Sequence, residues 1–319
     1  MKTPEELQTP TETQTAAPLT KEEKKAQKKQ QKHLKQKEKK EGRRIRTLEP
    51  INSLMPFLMK TRSASSNLFE AEFDTEAADA YITKKRKEGL KGFSMMHLLI
   101  AAYVRTVAEY PGINRFVRGQ RILARNKIVI SMNIKRELEL DHGETVVKFF
   151  PKPDATAEEI YRLVENTIQE ANNEDSTEFD QTLAKVAKLP RFLLRMFIRT
   201  LEILDYYGLM PRFFLDVSPF HGSLYITSMG SLGIPPVYHH LYNFGNVPLF
   251  LSFGSVLKKP HVTSDGTVTQ KRVFPLRVTC DDRICDGHYY SLFFKSVRRY
   301  FKNPDLLDSP PETVNEDIP

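Results

Sequence analysis

Asp281-Asp282-Arg283-Ile284-Cys285-Asp286-Gly287 lies between a strand-like run, 270–280, and a helix-like run, 288–302. Three acids and an arginine within seven residues, closing on Asp-Gly ahead of apolar residues at helical spacing, predict a sharp strand-to-helix turn. Asp286 falls near the helix N-terminus, where a short acceptor side chain satisfies an amide with no partner inside the helix. Such a turn fixes the directions of its side chains, as a site requires, although Asp-Gly also marks ordinary turns.

Working outward, the following helix buries Tyr289, Phe293, Val297 and Tyr300 or Phe301 and stops at Asn303-Pro304. Pro275 in the preceding strand lacks an amide donor and predicts an edge or a bulge. Further strands are expected over 67–74, 127–134, 145–150, 223–228 and 247–256, with helices over 75–88, 94–108 and 155–171. Ser94 is the expected N-cap of the second of these helices. Residues 172–181 read as a polar linker. Pro190 opens another helix, in which Phe192, Leu193, Met196, Phe197, Leu201 and Leu204 make one broad apolar face. Arg191, Arg195 and Arg199 are four apart and form one basic stripe, either a solvated face or a surface for an anionic ligand or membrane. Strands and helices alternate without a Gly-rich phosphate loop, which favours a mixed α/β sheet packed by helices over a dinucleotide-binding fold.

The formal charge of +8 over 319 residues is local. Segment 21–46 holds thirteen Lys and Arg against four Glu, a net +9, leaving the remainder at −1. Nucleic-acid or anionic-surface binding would therefore belong to a basic tail, 1–42, which has too little apolar surface to offset the entropy of ordering. No specific nucleic-acid binding is expected of the domain, 43–304, where the composition turns apolar and 45–57 begins to bury side chains. Residues 305–319 read as a loose acidic tail. Cys280 and Cys285 are the only cysteines, too few for a disulfide framework and without the spacing of a zinc site, so a reducing compartment and no metal are expected. With no apolar leader and no run of eighteen apolar residues, the expected location is the cytoplasm.

Three segments together resemble one family. Residues 281–287 and the helix after them resemble the D-H-R-x-x-D-G signature of the dihydrolipoamide acyltransferase core of 2-oxo acid dehydrogenase complexes, and the H-H-x-x-x-D-G of chloramphenicol acetyltransferases. Gly222-Ser223-Leu224-Tyr225-Ile226-Thr227-Ser228-Met229-Gly230 resembles that core's G-T-F-T-I-S-N-L-G. Tyr110-Pro111-Gly112-Ile113-Asn114 resembles its F-P-x-x-N. Order and approximate spacing agree across 43–304, with 182–214 as a helical insertion. The resemblance implies a two-layer, chloramphenicol acetyltransferase-like α/β sandwich assembled as a homotrimer. The active site would lie between subunits, with coenzyme A thioester as a substrate, not a tightly held cofactor.

The signature also departs from that pattern. The position of the family's general-base histidine is Asp282, while Arg283, Asp286 and Gly287 match, and Thr227 takes the place of the serine that donates to the tetrahedral intermediate. A carboxylate near pKa 4 facing a thiol near 8.5 leaves a mismatch of about four units, on the order of 5 to 6 kcal/mol. Burial and the neighbouring Asp281 would narrow that gap. His239 and His240, in the loop after the Thr227 segment, are the preferred replacement imidazoles; His288 and His221 are the others. Cys285 reads as a buried turn cysteine, not a nucleophile.

Two readings share this fold: a coenzyme A-dependent acyltransferase with altered base chemistry, and a silent trimeric scaffold or regulatory partner. A third makes the domain a support for a tail that binds anionic surfaces. Only some forty low-complexity residues precede the domain, so no lipoyl arm is expected in cis and the acyl donor or carrier would come in trans.

Overall fold

The computed structural model describes residues 41–45, 47–135, 144–173 and 186–317. The basic tail over 1–40 and most of the expected linker lie outside the described residues. The compact unit spans Glu41–Pro319. It opens with β1 (Gly42–Arg44), α1 (Pro50–Leu58), β2 (Ser66–Asp74), α2 (Glu76–Lys87) and α3 (Met95–Glu109). Then come β3 (Arg115–Arg118), β4 (Arg121–Arg125), β5 (Ile130–Lys135), β6 (Glu144–Phe149) and α4 (Ala157–Asn173). The second half holds α5 (Arg191–Tyr207), α6 (Arg212–Val217), β7 (Leu224–Ser228), β8 (Leu249–Phe253), β9 (Leu257–Val262), β10 (Val268–Asp281) and α7 (Gly287–Lys302).

Among the described residues the main sheet has seven strands in the order β2-β10-β8-β7-β5-β6, with β9 on the far half of β10. It is mixed: β5, β7 and β8 run parallel and the other pairings are antiparallel. Side chains alternate across a strand, so one face takes Ala71, Phe73, Leu276, Val278, Leu249, Leu251, Leu224, Ile226, Ile130 and Met132 into a single core. Helices α2, α3, α4 and α7 form the layer that covers this face. Phe301 of α7 sits 4.9 Å from Phe73 and 5.8 Å from Phe274, ring centroid to ring centroid. The reverse face carries Tyr225, Thr227, Phe250, Ser252, Ser131 and Thr279, all buried; Leu241 and Val247, from the loop between β7 and β8, pack against Tyr225 and Phe250.

The mixed α/β architecture agrees with the pattern in the sequence, and five details refine it. The expected bulge at Pro275 is present: Val273 pairs with Leu257 and Leu276 with Phe253, so two residues of β10, Phe274 and Pro275, stand against three, 254–256, between β8 and β9. Pairing with β8 begins at Leu276, and the Pro275 carbonyl accepts from Gly254 just past the end of β8 at 3.1 Å, so no ladder partner meets the missing amide. Second, β3 and β4 form a hairpin whose turn, Gly119 and Gln120, has φ of 55° and 56°; only the glycine signalled it. Third, β9 was unforeseen because all six of its residues are exposed and give no alternation in burial. Fourth, Ile45 is buried, but Ile51, Leu54 and Phe57 of α1 are more than half exposed. Fifth, 305–317 is acidic but docked: Leu307 is buried, Asn315 bonds the end of α3, and Asp317 takes a bidentate pair from Arg115 at 2.6 and 2.8 Å.

The start of the domain is held by Glu41, whose carboxylate meets Arg125 at 2.6 Å, Arg118 at 2.8 Å and the Asn246 amide at 2.6 Å. Burial alone would raise its pKa; the two guanidiniums overcome burial and hold it at about 2. A carboxylate depressed on folding adds stability above its unfolded value of 4.5 and loses that contribution as pH falls toward about 2. Glu41→Gln is expected to lower stability at neutral pH by on the order of 3 kcal/mol and to flatten the acid limb. Urea unfolding at neutral pH and inside that acid window checks this; an acid limb as steep as in the unaltered protein would contradict it.

Candidate functional site

The quoted stretch is the end of β10 and the turn into α7. Asp286 is the N-cap, with its Oδ1 accepting from the Tyr289 amide at 2.8 Å, as the sequence predicts. Gly287 has open space where a Cβ would stand and no left-handed φ, so nothing within the chain demands glycine there. The turn is braced by Asp281, which is 1% exposed. Its two oxygens take Arg283 Nε at 2.8 Å and Arg283 Nη2 at 2.7 Å, Ser65 Oγ donates at 3.0 Å, and Arg62 Nε stands 3.8 Å away. Arg62 in turn donates to the carbonyls of Tyr242 and Gly245, and Arg283 to that of Met59 at 3.2 Å. One carboxylate thus ties the turn to the entry of β2 and to the loop that covers the reverse face.

Asp282 is half-buried beside this brace. Its amide donates to the Ser65 carbonyl at 2.8 Å and its Oδ1 accepts from Asn67 Nδ2 at 2.6 Å. Burial and the Asp281 charge raise its pKa, against the lowering effect of the Asn67 bond, the direction a proton acceptor for a thiol needs. Arg62, Ser65 and Asn67 were missed as site residues; their only signal was a short polar run, Thr61 to Asn67, ahead of a strand.

The Tyr110 motif adjoins the same turn. The Gly112 amide donates to Tyr289 Oη at 2.7 Å, and a Cβ on Gly112 would stand 2.6 Å from the Tyr289 ring, so this glycine is required by contact. Arg115 Nη1 bonds the Ile284 carbonyl at 3.4 Å while the same guanidinium holds Asp317. Cys280 and Cys285 are both buried, and burial raises both thiols above their ordinary range. Neither has the character of a nucleophile.

Thr227 is 3% exposed on the reverse face, and its Oγ1 has no hydrogen-bond partner among the described residues. Its neighbour in register is Ser252, whose hydroxyl donates to the Val237 carbonyl, so the loop after β7 lies over this spot. His239, from that loop, stacks on Phe250 at 4.4 Å, two residues from Ser252 along β8. His240 is exposed, and His288 is exposed in the first turn of α7. His221 is buried, with Nδ1 2.8 Å from Ser218 Oγ and Nε2 3.5 Å from Asp205.

Within one chain these residues form two groups. The Asp281 amide bonds Pro248, whereas Thr227 pairs with Ser252, four residues farther along, or about 13 Å of strand. The turn with Asp282, Arg283 and Asp286 lies at one end of the strands, and Thr227 with His239 nearby lies toward the other.

Beyond Thr227, at the far ends of β7 and β8, a cleft of about 730 Å³ is lined by Ser228, Gly230, Gly254, Ser255, Arg86 and Arg272, the last paired with Asp79 at 3.0 Å. Gly230 is needed here, since a Cβ would meet the Ser255 amide at 2.8 Å. Ligand sites are commonly concave and of this size.

The brace and the cap differ in what their loss leaves behind. Asp281→Ala strands two buried guanidiniums and is expected to cost about 3 to 5 kcal/mol, while Asp286→Ala removes one cap for about 1 kcal/mol. Denaturant midpoints of the two variants check this, and equal losses would contradict the brace.

Residues 220–308 match the family model for 2-oxoacid dehydrogenases acyltransferase (catalytic domain). No curated protein sequence matches the chain. A probable dihydrolipoamide acetyltransferase from Listeria monocytogenes superposes with a TM-score of 0.51 at 19% identity, over 81% of this chain and 94% of its own. The dihydrolipoamide acetyltransferase of Azotobacter vinelandii, studied for a serine, a histidine and an asparagine in its catalytic mechanism, gives 0.52 at 14%, over 81% and 88%. The truncated catalytic core of the 2-oxoacid dehydrogenase multienzyme complex from Thermoplasma acidophilum gives 0.50 at 14%, over 82% and 99%. In sequence over 220–308, and in fold over most of the chain, this protein resembles the catalytic domain of the 2-oxoacid dehydrogenase acyltransferases.

Proposed function

We propose that the protein is a coenzyme A-dependent acyltransferase that works as a homotrimer in the cytoplasm, receiving its acyl group from a donor or carrier in trans. The observation that carries this reading is the Thr227 hydroxyl, buried and without a hydrogen-bond partner among the described residues. Such a hydroxyl costs about 1 to 3 kcal/mol in an idle fold, and it is of use where charge develops on a reacting carbonyl oxygen. It stands at the position of the family's oxyanion donor. The separation of Thr227 from Asp282 along the strands supports a site completed between subunits, with the turn of one facing the Thr227 segment of the next.

In this reading the thiol of coenzyme A attacks the carbonyl of the donor's thioester, its proton passes to a base, and Thr227 Oγ1 donates to the resulting oxyanion; collapse of that intermediate breaks the bond to the donor's sulfur, which leaves as a thiol with the proton returned by the base. His239 is the preferred base, because its loop covers the Thr227 face; Asp282 from the neighbouring subunit orients that imidazole, as carboxylates do in catalytic triads. Arg86 and Arg272 suit the phosphates of coenzyme A in the cleft, with the small residues Gly230 and Gly254 allowing the pantetheine arm past the backbone. Asp286 and Arg283 set the turn, while His240 and His288 remain further candidates for the imidazole.

Thr227→Val is expected to lower the rate of acyl transfer about 10²-fold or more with little change in coenzyme A binding. Asp282→His, which restores the signature, is expected to raise it. Activity unaffected by Thr227→Val, or a monomer by light scattering at working concentration, would reject the intersubunit acyltransferase. Failure of the protein to bind coenzyme A at all would favour the silent scaffold.

A further inference from the structure

Helix α5 is apolar on two sides. Toward the domain it sets Leu193, Leu194, Phe197, Leu201 and Leu204, which are buried or half-buried, and Tyr206 Oη fastens its end to Gln120 of the β3–β4 turn at 3.1 Å. Toward solvent it sets a second strip, Phe192, Met196, Ile203 and Tyr207, which the 3.6-residue repeat aligns along one line. Phe192 is 72% exposed, Met196 62% and Tyr207 70%. Leu209 and Phe213 continue the apolar surface past the end of the helix. An ordinary surface helix has one apolar face and buries it.

Arg191 and Arg195 run beside the outer strip and Arg199 falls within it, between Met196 and Ile203; all three are exposed, and among the described residues only Arg199 has an acidic neighbour, Glu202, at 3.6 Å. A line of apolar side chains flanked by two arginines and carrying a third within it matches a bilayer surface, whose acyl boundary takes the apolar groups while the long guanidinium side chains reach anionic headgroups. A protein partner would need a matching acidic ridge; a lipid headgroup layer supplies negative charge wherever the helix settles. Helix α1 reaches the same region, since Pro56 and Lys60 border one pocket with Glu202, Asp205 and Tyr206, and it too exposes Ile51, Leu54 and Phe57. No helix of the described residues is long and apolar enough to cross a membrane, so any such contact lies in the plane of the interface.

We propose that the outer face of α5 and the start of α6 dock onto an anionic phospholipid bilayer, holding the domain at a membrane surface. This is independent of the acyltransferase reading, since none of these residues lies in the proposed catalytic groups.

The chain has no tryptophan, so Phe192→Trp in the full-length protein installs a single indole on this strip. Vesicles of phosphatidylcholine with phosphatidylserine are expected to shift its emission to the blue, and vesicles of phosphatidylcholine alone to shift it much less. By co-sedimentation, Phe192→Ser with Met196→Ser and Ile203→Ser is expected to weaken partition about tenfold or more, with the particle mass by light scattering unchanged. Exchanging Arg191, Arg195 and Arg199 for Gln is expected to weaken it by roughly fivefold per charge, on the phosphatidylserine vesicles only. An indole that does not respond, or partition carried wholly by the basic tail and untouched by both sets of substitutions, overturns the proposal. So does a loss of oligomer mass in the serine variant, which would identify a second copy of the chain as what covers this face.

Discussion

The carboxylate of Asp281, buried between Arg283 and Arg62, is the interaction on which the site depends. The entry to β2 and the turn itself meet this carboxylate directly, and the loop after β7 is tied to it through Arg62. A buried ion pair of this kind contributes little net stability, because removing both partners from water offsets their attraction. What it fixes is direction. With both Arg283 and Ser65 satisfied by the same two oxygens, the backbone at 281–283 has one arrangement, and Asp282 is aimed at Asn67 and outward from the brace.

The mixed sheet imposes the second constraint. Because β7 and β8 are parallel and β10 is antiparallel to β8, the end of β10 meets the beginnings of β7 and β8. The turn at the end of β10 and Thr227 toward the end of β7, with β8 between them, are therefore carried toward opposite ends of the strands. In the proposed reading, chemistry that uses both groups would draw them from different copies of the chain.

The sequence made the frame of the molecule legible wherever periodicity and chemistry coincided. Alternation in β2 and β5, the apolar spacing of α3, α4 and α7, and the Asp286 cap all read correctly, because each follows from one local rule. What escaped was non-local. Asp281 looked like one acid among three, and only the fold shows that it, and not Asp282, carries the brace. Pro275 signalled an edge or a bulge because its missing donor is a local fact, while the extra residue between β8 and β9 that makes the bulge is a tertiary one. In α5 the apolar residues were assigned to one broad face; the buried and solvent-facing strips separate only when the helix is seen against its neighbours. Thr227 was identified from a resemblance, and the isolation of its hydroxyl could not be read from residue order.

The two cysteines have a practical consequence. Cys280 faces the helix layer and Cys285 is buried in the turn, with both thiols kept in the protonated state by burial. Thiolate is the form that maleimides and alkylating reagents attack, so neither position competes for such reagents while the protein is folded. The native chain is in effect a cysteine-free surface: a single cysteine introduced anywhere outside can be labelled selectively, and reaction of the native pair becomes a clock for the opening of the turn.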